Sequence, residues 1–252
     1  MTAALQQYAV VALAAPAKIS EHVYWLPPGP PDRPSLCAVV GERGTIWLDA
    51  GSSAAHAGEF LAFLGEKAIP KPSHVVLTHS HWDHVFGAAE LGAYVVAHEL
   101  TAGYLEELAE MDWSDEALEG RVASGEASSQ HAENVKAELP SPRRVEIAHA
   151  DIVFREGVRF ELGGVRVEAR HVGGDHADDS TVCFVEPDGM LFLGDCLYEA
   201  PSGGYTIARA QPLIDAVRSF GAQLHVEGHN GSVLSQAELD DVIAEALRGA
   251  KP

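Results

Sequence analysis

Positive charge is scarce in this sequence: 17 Lys and Arg stand against 37 Asp and Glu in 252 residues, a formal net charge of −20. Phosphate binding needs a basic surface, so a nucleic-acid partner is excluded as an expectation. Cysteine is rarer still, at three residues. Cys37, Cys183 and Cys196 lie far apart and make neither a disulfide framework nor a zinc knuckle, which suits a reducing cytoplasm. No apolar run reaches the roughly 18 residues that a membrane span requires. The alanine-rich stretch from Tyr8 to Ala17 has a small-residue end, but no Lys or Arg precedes it, which argues against a secretory leader. The expected partner is therefore a small molecule, with neither nucleic acid nor membrane; oligomeric state is not legible.

What is present is a large apolar fraction, 46%, and 13 histidines. The length suits one α/β domain, and the chain reads as a single unit over residues 1–252. Strands are expected at Ile19–Leu26, closed by Pro27–Pro31, and at Leu36–Val40 and Thr45–Leu48 around a hairpin turn. Ala54–Lys67 has helical spacing, Val75–Leu77 reads as a buried strand, and a short helix over Val85–Leu91 precedes a strand over Tyr94–His98. From Glu99 to about Pro140 the chain turns acidic and helix-favouring, an insertion of two or three helices at about 99–140. More strands follow at Val145–Ile147, Ile152–Phe154, Val158–Leu162, Val165–His171, Thr181–Val185, Met190–Leu193 and Leu224–Val226. Ile207–Phe220 is amphipathic, and Ser235 with Glu238 forms a capping box that opens a last helix to Leu247.

The densest chemistry is Thr78-His79-Ser80-His81-Trp82-Asp83-His84, where four metal-ligating side chains follow the buried strand. Imidazole nitrogen and carboxylate oxygen together suit Zn²⁺, with Fe and Mn as competitors. Four ligands so close in sequence do not converge comfortably on one ion. Two ions side by side are expected, with His79 and His81 on one and Asp83 and His84 on the other.

This HxHxDH pattern after an apolar strand resembles the metallo-β-lactamase superfamily, and the resemblance extends over nearly the whole chain. It implies an α/β fold, a four-layer αββα sandwich of two mixed sheets. Gly174-Asp175-His176-Ala177-Asp178-Asp179-Ser180 lines up with the family's Pro-Gly-His-Thr-Pro-Gly-Ser and makes His176 the third histidine of the first site. It departs in having Asp and Ala where Gly and Thr are usual; His171 is the rival ligand, read instead as a strand end. Asp178 and Asp179 read as turn residues or as acceptors behind the ligands. Gly194-Asp195 resembles the motif that carries a bridging aspartate, and Gly228-His229-Asn230-Gly231 the closing Gly-His-Gly, which assigns His229 to the second ion. Asp49, in Asp49-Ala50-Gly51, is expected to support the metal loop by hydrogen bonds, or else to be a strand-end turn residue.

The resemblance thus implies two divalent metal ions, Zn²⁺ first with Fe or Mn as alternatives, held by His79, His81 and His176, by Asp83, His84 and His229, and by Asp195 between them. A hydroxide shared by the pair would attack an ester, lactone or thioester carbonyl. Asp83 would orient it and shuttle a proton, and Tyr198 stands where the superfamily's lactonases have a tyrosine that donates to the substrate carbonyl. True β-lactamases of the nearest layout have cysteine at the position of Asp195; Cys196, one residue on, is expected to turn away and pack. A β-lactam amidase is therefore a weaker variant. A mononuclear-iron persulfide dioxygenase is the alternative from another class. His98 is the remaining histidine of interest, with a structural role expected.

Overall fold

The structure, a computed structural model, describes residues 15–200, 203–248 and 250–251. Most of the Tyr8–Ala17 stretch lies outside the described residues, as do Pro201 and Ser202. The chain opens with β1 (Ala17–Lys18), β2 (Val23–Leu26), β3 (Leu36–Gly41), β4 (Gly44–Leu48) and α1 (Ala54–Glu66). Next come β5 (His74–Val76), α2 (Trp82–Val85), α3 (Ala88–Leu91), β6 (Tyr94–His98), α4 (Glu99–Glu110), α5 (Asp115–Ser124) and α6 (Ser129–Glu138). The second half holds β7 (Ile152–Phe154), β8 (Gly157–Glu161), β9 (Arg166–His171), β10 (Thr181–Glu186), β11 (Met190–Gly194), α7 (Ile207–Ser219), β12 (Leu224–Glu227), β13 (Leu234–Ser235) and α8 (Gln236–Arg248).

Period-two alternation builds the layers. In β3, Cys37 and Val39 face the space between the sheets while Leu36 and Ala38 face a helical layer. In β11, Met190 and Phe192 point inward, and Leu191 and Leu193 point outward onto α7 and α8. Three apolar clusters result. One fills the gap between sheets, and one lies on each outer face beneath helices. That is the expected αββα sandwich.

Among the described residues, the first sheet has seven strands in the order β1 to β7, and the second has six in the order β13-β12-β11-β10-β9-β8. Both are mixed: β4 to β7 run parallel after antiparallel β1 to β4, and β11 pairs parallel with β12. Parallel strands end together, so the segments after β4, β5, β11 and β12 gather at one rim. The rim is closed across the sheets by Thr181 N–H donating to Thr78 O at 2.7 Å.

Three expected elements take another form. Of Ile19–Leu26 only Val23–Leu26 is a strand, β2; Ile19–His22 is the turn after β1, where Ser20 and His22 bind the Asp188 carboxylate, His22 through both N–H (2.8 Å) and Nδ1 (2.6 Å). Val145–Ile147 is not a strand. Its alternation reports one buried face, with Ile147 in the helical-side cluster and Val145 against it, but no neighbouring strand offers it a ladder. The single helix over Val85–Leu91 is two short ones, α2 and α3, parted at Gly87. Gly87 N–H donates to Gly51 O at 2.9 Å, and a Cβ there would overlap the Ala50 carbonyl.

Candidate metal centre

His79 and His81 sit on the loop after β5, whereas Asp83 and His84 lie in the helical turn α2. The turn redirects the second pair of side chains away from the first, as two separate ions would require. The second sheet supplies the rest: His176 from the loop between β9 and β10, Asp195 just after β11, and His229 just after β12. Donor atoms of His79, His81 and His176 form one group, and those of Asp83, His84, Asp195 and His229 another, each within 4.8 Å.

Asp195 lies between the groups. Its Oδ2 is 3.3 Å from both His84 Nε2 and His229 Nε2, and 3.5 Å from His176 Nε2. His229 Nε2 is also 3.1 Å from Asp83 Oδ2, and His81 Nδ1 faces His176 Nε2 at 2.9 Å. Ligand atoms about 2.0–2.1 Å from a tetrahedral zinc lie roughly 3.3 Å from one another, so these separations fit a common cation. His79 Nε2, His84 Nε2 and Asp195 Oδ1 are buried without hydrogen-bond partners, a costly arrangement that bound cations relieve.

Supporting hydrogen bonds fix which imidazole nitrogen faces inward. His84 Nδ1 donates to Asp49 Oδ2 at 2.7 Å, and Asp49 also accepts from Thr78 N–H (2.7 Å) and Thr78 Oγ1 (2.8 Å). Thr78 Oγ1 in turn lies 3.1 Å from His79 Nδ1, and Glu199 O lies 3.1 Å from His176 Nδ1. Each contact uses Nδ1 and leaves Nε2 as the free donor, the arrangement that orients a metal-bound histidine. Asp49 is thus a support and not a plain turn residue. The sequence reading missed Thr78 in this role, although it directly precedes the motif.

Glycines make room. At Gly228 a Cβ would overlap the Asp195 carboxylate and come 3.1 Å from His84 Cε1. Gly194 has φ +53, and its Cβ would lie 2.6 Å from Thr78 Oγ1. Electrostatics divide the site. Burial, then the neighbouring imidazoles, hold His79 below the ordinary histidine value and His81 down at about 4, so both are neutral as ligation needs. Burial also opposes charge on His229, but its hydrogen bonds to Asp195 and Asp83 outweigh this and push it up to about 10. Here the two carboxylates draw protons onto imidazoles, which is where a divalent cation would compete.

Other sequence candidates fall elsewhere. Cys196 is 1% exposed and packs with Leu193 and Leu197 in the outer cluster, outside both donor groups. His171 is likewise outside: its Nε2 meets Asp178 O at 2.8 Å and its ring stacks on His98 at 3.7 Å. His98 caps α4, accepting from Leu100 N–H at 3.3 Å. Asp179 is buried beside Thr101 and Ser80, and exposed Asp178 accepts from Tyr104 Oη at 3.1 Å. Tyr198 Oη accepts from His229 N–H at 3.1 Å, with its ring 6.0 Å from that of His176.

Of the donor residues, His81, Asp83, His176, Asp195 and His229 form the floor of a cavity of about 930 Å³. Its far wall comes from the insertion, which is three helices, α4 to α6, and includes Leu108, Met111, Trp113, Arg121 and His131. The wall is anchored at its end: Glu138 of α6 accepts from Arg33 Nε at 2.9 Å and from Ser53 Oγ, the residue that caps α1.

Two sheets, three apolar layers and paired His/Asp donor groups at one rim define a metallohydrolase-type fold. The family model described as the metallo-beta-lactamase superfamily matches residues 30–246, and the chain belongs to that superfamily. No curated protein compared with the chain matches it. Among solved structures, a metallo-beta-lactamase from Pontibacter korlensis is similar at 20% identity and TM-score 0.62, over 92% of this chain and 98% of that one. A metallo-beta-lactamase from Cronobacter sakazakii, a motif mutant, shares 16% identity at TM-score 0.62 over 94% and 95%. The stereoselective inverting sec-alkylsulfatase Pisa1 from Pseudomonas sp. has TM-score 0.68 and 16% identity; the match covers 93% of this chain but 41% of that one. These likenesses show a shared fold. Members of the superfamily are mostly metal-dependent hydrolases.

Proposed function

We propose that the protein is a dinuclear metal-dependent hydrolase acting on an ester, lactone or thioester of a small molecule. The observation that carries this reading is the position of Asp195 Oδ2 between two adjoining donor groups at the floor of an open cavity. His79, His81 and His176 would hold one ion, Asp83, His84 and His229 the other, and Asp195 both. The donor set of imidazole and carboxylate favours Zn²⁺, with Fe or Mn as competitors. Two such ions, when bound, make hydroxide available from water near neutral pH and polarise the substrate oxygen.

The chain's own groups do the rest. Water adds to the acyl carbon, the bond to the alkoxide or thiolate breaks, and the leaving group takes up a proton. Asp83 is 6% exposed and fronts the cavity, placed to pass that proton. Tyr198 keeps its hydroxyl proton, because burial and then the Glu227 and Asp195 charges push it well above the ordinary tyrosine value. Since its oxygen already accepts from His229 N–H, the hydroxyl is free to donate to an acyl oxygen in the cavity. Leu108, Met111 and Trp113 give the same cavity an apolar wall. Having Asp195 at the bridging position ranks β-lactam amides below esters and thioesters. Three buried free thiols suit a reducing compartment.

The test is elemental analysis of protein purified without added metal, followed by ester, lactone, thioester and β-lactam panels. About two zinc ions per chain with acyl hydrolysis supports the reading; about one iron, with oxygen consumption on persulfides, overturns it. Tyr198→Phe should then lower kcat on the best ester or lactone about 10-fold or more with little change in KM, the pattern of an interaction made in the transition state. An unchanged kcat reduces Tyr198 to packing.

A further inference from the structure

The insertion brings one cation to an otherwise acidic cavity. Arg121, in the last turn of α5, is the sole Lys or Arg lining it among the described residues, beside Asp32, Glu107, Glu126 and Glu199 as well as the carboxylates of the floor. None of these acids pairs with it among the described residues. Its guanidinium lies over the Trp113 ring, 5.1 Å from the centroid, and Nη1 donates to Asp112 O at 3.0 Å. Nη2 is buried with no hydrogen-bond partner. A stacked, half-anchored guanidinium has lost much of its freedom to swing into water, so its unmet donor waits for an acceptor brought from outside.

From this we infer that Arg121 anchors a carboxylate on the substrate, remote from the acyl group that is cleaved. The inference rests on the proposed hydrolase reading and narrows its substrate class. A planar two-oxygen acceptor matches the guanidinium fork. The single positive charge among spare carboxylates admits a monoanion and opposes a dianion. Trp82, Trp113, Leu108 and Met111 line the same cavity, so the linking part of the substrate is apolar or aromatic. The substrate class is then an acyl ester, lactone or thioester with an apolar body ending in one carboxylate. The reacting bond lies over Asp195 and the carboxylate under α5.

Binding separates this from the hydrolase reading, because it needs no turnover. The metal-loaded wild type, Arg121→Gln and Arg121→Lys are titrated calorimetrically with phenylacetate and with its neutral counterpart phenylacetamide, after metal content and melting temperature are matched. The expected result is a phenylacetate Kd at least 10-fold weaker in Arg121→Gln, a smaller loss in Arg121→Lys, and a phenylacetamide Kd within twofold throughout. Equal phenylacetate binding in wild type and Arg121→Gln places the carboxylate elsewhere, and equal weakening of both probes makes Arg121 only a wall. Either result overturns the inference, as does no saturable phenylacetate binding to the wild type. Failure of the hydrolase reading would instead appear as a wild type that binds phenylacetate through Arg121 yet cleaves no acyl substrate.

Discussion

At the scale of single residues, the metal centre depends on side chains that touch no ion. Asp49 is wholly buried and held at φ +61, a conformation that a non-glycine residue adopts only when its surroundings enforce it. It accepts from Thr78 twice and from His84 once, so one carboxylate orients both the metal loop and an imidazole. Asp49→Asn keeps the shape but puts an amide where an acceptor is needed. It should weaken metal binding about 10–100-fold, as expected for a lost support of a ligand, when measured by chelator competition. Unchanged affinity would return Asp49 to the role of a turn. Gly228→Ala acts by volume instead of charge. Its methyl group would occupy the space of the Asp195 carboxylate, so Asp195 must rotate out of its position between the groups. The bound metal should fall below two ions per chain while the far-UV circular dichroism stays native; full occupancy would show that the rim can shift to accommodate it.

At the scale of elements, the insertion is tied to the sandwich by few but well-made contacts. Glu138 has a side chain 2% exposed, and it takes both of its partners from the sandwich, Arg33 from the loop before β3 and Ser53 from the cap of α1. Glu138→Gln removes one of the two charges that Arg33 faces, the exposed Glu59 Oε2 lying 3.0 Å from its Nη1, and the Arg33 side chain is itself 24% exposed. A lost hydrogen bond to a charged group costs about 1.5–3 kcal/mol, and partial solvation of Arg33 favours the lower end. Urea unfolding should register that loss, and limited proteolysis should cut faster within residues 99–140, with metal content unchanged. Equal cleavage rates would mean that α4 to α6 hold their place by packing alone. The same elements mark the reach of the sequence. Strands such as β3 and β11 were legible because alternation leaves an imprint on each residue, and the HxHxDH loop because its ligands are local. The failure at Val145–Ile147 has one cause: alternation reports a buried face but not whether a neighbour supplies a ladder. Arg121 and Glu138 left no signal, since what singles them out is a partner lacking or gained across the fold.

At the scale of the whole molecule, the proposed ligands are divided between the sheets. His79, His81, Asp83 and His84 follow β5 of the first sheet; His176, Asp195 and His229 come from loops of the second. Bound ions would therefore act as cross-links at one rim, while the rest of the interface is held by apolar side chains such as Trp25, Ile46, Met190 and Phe192. Chelation should leave the sandwich folded, because that inter-sheet layer is complete without the rim. It should nonetheless lower the melting temperature in proportion to the logarithm of free metal. A free metal concentration 100 times Kd contributes about 2.7 kcal/mol. For a domain of this size, that corresponds to roughly 5–10 °C in melting temperature. Hydrogen exchange gives the spatial check: the amides of Thr78, Thr181 and Gly228, which tie the rim across or within the sheets, should exchange faster after chelation, while those of β3 and of β10 beyond Thr181 stay protected. A melting temperature indifferent to chelator would mean that the donor groups hold no ion in the native protein. A uniform rise in exchange would mean that the ions stabilise the fold globally and not as a clasp between its halves.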